Sequence, residues 1–83
     1  KRSAYEESTR VPLIAFGGGM PAGRVVDKIV ANIDIAPTFL ALAGATAPQG
    51  VRFDGMSYAD LMMGRPFDGP WRTSLSYEYY WEY

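Results

Sequence analysis

The sequence predicts a mixed α/β architecture, and three observations carry that expectation. Val11-Pro12-Leu13-Ile14-Ala15-Phe16 is a short apolar run closed by Gly17-Gly18-Gly19, the pattern of a buried strand that ends in a loop. Asn32 to Gly44 repeats apolar residues at helical spacing. From Leu75 to Tyr83 the side chains alternate, with Leu75, Tyr77, Tyr79, Trp81 and Tyr83 on one side and Ser76, Glu78, Tyr80 and Glu82 on the other.

Each element has a local reason. Pro12 lacks an N–H and belongs at the start of the first strand, where a missing donor disturbs the ladder least. Val25 to Val30 is a weaker strand candidate of mixed pattern. In the helix, Asp34 is placed to accept N–H groups of the first turn as N-cap, and Pro37 falls within that turn, where its missing donor costs little. Ile35, Phe39 and Leu42 form an apolar face that is expected to pack on a sheet, and Gly44 can take the left-handed conformation that ends a helix. Residues 45–56 read as loop. A short helical turn follows around Ser57 to Met63, with Ser57 as its cap, and Pro66, Gly69 and Pro70 punctuate a second loop. The aromatic strand at 75–83 calls for a partner sheet, since an unpaired edge of that composition invites pairing with another chain.

Composition narrows the function classes. An 83-residue chain folding alone would bury only about 60 to 65% of its unfolded surface, so an autonomous fold would be marginal. At 48% hydrophobic and 20% charged residues the chain is composed for packing, not for disorder. The formal net charge of −1 provides no field to attract nucleic acid or an acidic membrane, and neither is an expected partner. The absence of Cys and His excludes disulfides, thiolate or imidazole metal sites, cysteine nucleophiles and imidazole bases. No apolar run has the ~20 residues of a membrane-spanning helix. The chain opens on Lys1, without a signal-peptide pattern, and closes on Tyr83 inside an aromatic run, so the sequence reads as cut at both ends.

Few residues suggest chemistry by themselves. Glu6 and Glu7 are adjacent and diverge in direction, which suits a solvated or ion-paired surface. Arg10 suits an ion pair at the entry of the first strand, and Asp34 suits a cap better than a metal ligand. The glycine triplet lacks the spacing and the Lys-Ser/Thr of a phosphate loop. The terminal aromatics offer flat apolar faces with polar tips, which suit packing in a sheet or stacking on sugar rings.

Four segments, in order, carry a family resemblance. Lys1 to Ile14 resembles the stretch of type I sulfatases that follows their Gly-(Asp/Glu)-His-Gly segment. Asn32-Ile33-Asp34-Ile35-Ala36-Pro37-Thr38 with Ala41-Leu42-Ala43-Gly44, then Phe53-Asp54-Gly55-Met56-Ser57, resemble later parts of the same family. Trp71-Arg72 and Tyr77-Glu78-Tyr79-Tyr80 are similar to the segment in which bacterial sulfatases of sulfated glycans begin their next strand. The resemblance covers nearly the whole chain and departs from the common pattern at Gly17-Gly18-Gly19-Met20, where many relatives carry a Pro-Gly pair.

The resemblance implies an alkaline-phosphatase-like α/β sandwich, a mixed sheet flanked by helices. Residues 1–83 would form a partial catalytic domain truncated at both ends, with the remainder of the domain as partner. It implies hydrolysis of sulfate esters on sulfated carbohydrates such as glycosaminoglycan or mucin sugars, by a formylglycine nucleophile with a calcium ion holding the sulfate. Neither the Cys/Ser-X-Pro-X-Arg motif that yields formylglycine nor the calcium ligands occur here, so this chain alone is expected to be inactive. By position in the family stretch, Lys1 is the implied catalytic residue, contacting the sulfate; Tyr79, Trp81 and Glu82 are implied at the sugar-binding rim. No metal-ligating residue is implied. A secreted or periplasmic location follows from the same resemblance. Two alternatives stay open: a phosphodiesterase or phosphomutase relative of the same superfamily, and a non-catalytic carbohydrate-binding module.

Overall fold

The computed structural model describes residues 9–67 and 69–76. Its regular elements are a 3-10 turn at Asn32–Asp34, helix α1 at Ile35–Ala43 and helix α2 at Ala59–Met62. Among the described residues no helix is long and apolar enough to cross a membrane.

Helix α1 occupies the span that its periodicity predicts, with Pro37 in the first turn and Gly44 at φ 69°, a conformation that costs a residue with a Cβ but not glycine. Ala45 N–H then donates to Leu40 O at 2.9 Å, closing the helix end. The start differs from expectation. Asp34 stands at the N-cap position, as expected, but it has helical backbone angles, φ −86° and ψ −12°, and caps no N–H of α1 with its side chain. The chain already turns in the 3-10 segment before it, so the Asp34 carboxylate points back and accepts the Ala31 N–H at 2.8 Å, while Asp34 N–H donates to Ala31 O at 2.9 Å.

Helix α2 is shorter than the predicted turn, and the Ser57 hydroxyl accepts its first N–H, that of Ala59, at 3.1 Å. The glycine triplet forms a turn closed by Met20 N–H on Gly17 O at 2.8 Å. The buried residues among those described are Asp34, Thr38, Tyr58 and Ala59, so the packed centre lies where the start of α1 meets the entry to α2 and is half polar.

Two expectations are not met among the described residues. No strand is present among the described residues: Val11 to Phe16 and Val25 to Val30 are irregular, and Phe16 is 89% exposed. A strand exists through the N–H and C=O groups of a neighbour, and no described segment pairs with either. Of the aromatic strand, Leu75 and Ser76 are irregular and residues 77–83 lie outside those described. The apolar face of α1 is also bare, with Phe39 63% exposed and Leu42 exposed, because no described sheet lies against it. It is the Thr38 side of the helix that is buried.

Candidate functional site

The best-defined side-chain cluster is centred on Asp34, which is fully buried. Four donors meet its two oxygens. Oδ1 accepts Met56 N–H at 2.8 Å and Arg72 Nη2 at 2.7 Å; Oδ2 accepts Ala31 N–H at 2.8 Å and Arg72 Nη1 at 2.5 Å. The Arg72 contact is the two-pronged arrangement in which a planar guanidinium matches a carboxylate best. Arg72 Nη1 also donates to Ile29 O at 3.0 Å, and the neighbouring Trp71 Nε1 donates to the same oxygen at 2.7 Å.

One turn along α1, the buried Thr38 hydroxyl donates to Asp34 O at 2.7 Å and accepts Tyr58 N–H at 2.9 Å. The loop before α2 is therefore tied to α1 at Met56 and at Tyr58. That approach requires Gly55. A Cβ there would lie 2.0 Å from Ile33 O and 2.7 Å from Asp34 Oδ1, so only a hydrogen fits against the backbone.

Charge follows geometry. Burial pushes the Asp34 carboxyl up, but the hydrogen bonds from Arg72, Met56 and Ala31 and the Arg72 charge outweigh it and hold the group below its ordinary value. The Asp34 hydrogen bond raises Arg72 against the opposing effect of its burial, and Asp34's charge adds to the rise. Burial, then the negative charge of Asp34, raises Tyr58. The pair is ionised at neutral pH, and its carboxylate has no oxygen left for a ligand.

The segments joined here are three of those that carry the resemblance: 32–38, 53–57 and 71–72. The family model for N-sulphoglucosamine sulphohydrolase, C-terminal, matches residues 1–83, the whole chain. The chain belongs to this sulfatase family. At the level of α/β class, membership agrees with the sequence expectation.

Curated relatives of the chain are named sulfatases. It is 42% identical over 65 residues to the extracellular sulfatase SULF-1 homolog of Drosophila melanogaster, covering 78% of this chain and 6% of that protein. It is 37% identical over 70 residues to human arylsulfatase G, covering 83% and 13%. It is 35% identical over 79 residues to bovine N-acetylglucosamine-6-sulfatase, covering 95% and 14%. The chain thus spans between 6% and 14% of the length of these relatives. No solved structure matches it.

Within this sulfatase segment, the residues expected to meet substrate, Lys1, Tyr79, Trp81 and Glu82, lie outside the described residues, as do Glu6 and Glu7. Arg10 is exposed. Calcium, which the family implies, finds no fit among the described residues: they hold no group of three acidic side chains that could bind a metal, and both Asp34 oxygens are saturated by N–H donors. The role of Arg72 is not evident from spacing, since 38 residues separate it from Asp34. The signal available in the sequence is that Trp71-Arg72 is one of the matched segments.

Proposed function

We propose that this chain is part of the catalytic domain of a sulfatase that hydrolyses sulfate esters on sulfated carbohydrates. The rest of an alkaline-phosphatase-like α/β sandwich would come from other parts of the same protein. The observation that carries this reading is the match of the whole chain to a sulfatase C-terminal family model. The name of the bovine relative, N-acetylglucosamine-6-sulfatase, favours an amino-sugar glycan, as in glycosaminoglycan or mucin chains. The name of the fly relative, an extracellular sulfatase, favours a secreted or periplasmic location.

In this reading Lys1 neutralises charge on the sulfate oxygens as the ester bond breaks, which an ammonium does as a compact point charge. Tyr79, Trp81 and Glu82 belong to the rim that holds the sugar, two by apolar ring faces and one by accepting hydroxyl hydrogen bonds. Formylglycine and calcium, supplied from elsewhere in the protein, would provide the nucleophile and hold the sulfate.

The test is hydrolysis of an aryl sulfate by the full-length protein and by its Lys1→Ala variant. Removing one charged contact to the transition state should cost about 2 to 4 kcal/mol, read mainly as lost kcat. Unchanged kinetics in the variant would take Lys1 out of the site. Hydrolysis of aryl phosphates with no action on aryl sulfates would replace the sulfatase reading with a phosphoryl-transfer one.

A further inference from the structure

Two segments more than 40 residues apart enclose a surface cleft of about 340 Å³ lined by Asp27, Lys28, Ile29, Trp71, Arg72 and Thr73. We propose that this cleft is an accessory subsite for a neutral sugar residue, which would meet Trp71 with its apolar side and Asp27, Lys28 and Thr73 with its hydroxyls.

Three observations carry the proposal. First, the walls are held in place before any ligand arrives. Trp71 Nε1 and Arg72 Nη1 share Ile29 O at 2.7 and 3.0 Å, and the indole is braced by Phe67, edge-on at 5.1 Å between centroids, and by the Arg72 guanidinium 5.6 Å from its ring centre. A prearranged wall lowers the ordering cost of binding. Second, the cleft is open to solvent and its lining is mixed polar and apolar, which suits a sugar ring bound at the surface.

The third observation selects the ligand. Arg72 is spent on Asp34, so its charge is cancelled. Lys28 and Asp27 are exposed, adjacent, and without an ion pair or hydrogen bond among the described residues, and their charges also cancel. An incoming sulfate would meet the Asp27 carboxylate as well as the Lys28 ammonium and gain little. A hydroxyl group can donate to Asp27, accept from Lys28 and do either with Thr73. The cleft therefore suits an unsulfated ring of a glycan better than a sulfated one.

The inference rests on the proposed function only for the choice of a glycan as ligand. The experiment is calorimetric titration of the full-length protein with unsulfated N,N′-diacetylchitobiose, for the wild type and for the Asp27→Asn and Thr73→Val variants, with inorganic sulfate as competitor. Both positions are exposed, and a thermal melt of each variant checks that the fold is kept. The disaccharide is expected to bind in the millimolar range and each variant to weaken it by about fivefold, the worth of one hydrogen bond. Sulfate is expected not to displace it. No binding, unchanged affinity in both variants, or displacement by sulfate would each overturn the proposal. Wild-type hydrolysis of an aryl sulfate is measured separately, so its absence would sink the sulfatase reading and leave the binding result standing.

Discussion

Replacing Asp34 by Ala should be among the most damaging single changes in the described chain. The substitution leaves Ala31 and Met56 N–H groups without their acceptor and strands the Arg72 guanidinium, whose side chain is only 14% exposed. An unsatisfied buried donor costs about 1 to 3 kcal/mol, and breaking a buried ion pair from one side costs about 3 to 5 kcal/mol. These penalties overlap, and the N–H groups are only partly buried, so they are not added and the ion-pair figure sets the scale: about 3 to 5 kcal/mol, a large part of the ~5 to 15 kcal/mol that holds a domain together. Asp34→Asn should be nearly as harmful, because its amide nitrogen must face donors on one side. Urea unfolding of the protein carrying the chain is the assay, with a midpoint lowered by roughly 2 M at a slope of about 2 kcal/mol/M. The double variant Asp34→Ala/Arg72→Met removes both charges and should regain at least ~1 kcal/mol over Asp34→Ala, since an apolar pair replaces an ion pair at little cost. A loss below ~1 kcal/mol in the single variant, or strict additivity in the double, would refute the assignment of Asp34 as the centre of the fold.

The same carboxylate sets a pH dependence. Its folded value lies below the ordinary carboxylate value of about 4, so the stability it contributes is fully present above that value and is lost as pH falls through the folded value. The urea midpoint of the wild type should drop through that acidic window and that of Asp34→Asn should drop less; parallel curves would contradict the shift. Gly55→Ala forces a Cβ to 2.0 Å from the Ile33 carbonyl oxygen and should cost at least about 1 to 3 kcal/mol, seen as a lower melting temperature; an unchanged melt would mean that the loop does not pack there. In the full-length protein Phe39→Ala should cost roughly 3 to 5 kcal/mol if a sheet covers the face, whereas a loss below ~1 kcal/mol would mean that Phe39 stays as open as its 63% exposure here.

What is legible from sequence is what the chain settles locally. Helix α1 carries Pro37 in its first turn and Gly44 just past its end, whose backbone preferences act within a few residues, and its limits come out where the pattern puts them. The Ser57 hydroxyl likewise meets the first N–H of α2. Asp34 takes the N-cap position, but its carboxylate does not cap α1, because the 3-10 turn that Asp34 itself closes directs it to Arg72, a partner no window of sequence contains. The strands are misread for a different reason. An apolar run encodes burial, but the ladder that makes it a strand lies in another segment, and among the described residues none is alongside Val11 to Phe16.

This difference separates what the matched segments reveal from what they do. Asn32 to Thr38, Phe53 to Ser57 and Trp71-Arg72 identify the sulfatase family, yet every polar group that joins them is consumed by a partner inside the chain. Asp34 accepts four hydrogen bonds, the Thr38 hydroxyl bridges Asp34 O and Tyr58 N–H, and Trp71 gives its N–H to Ile29. Groups so committed cannot also bind a sulfate or a metal, so these three matched segments build the frame. Chemistry must then reside on groups still free to meet substrate, which is why family membership and catalytic assignment need separate experiments. Asp27 and Lys28 beside Trp71 stand out for that reason: they are charged, exposed and, among the described residues, not used by the frame.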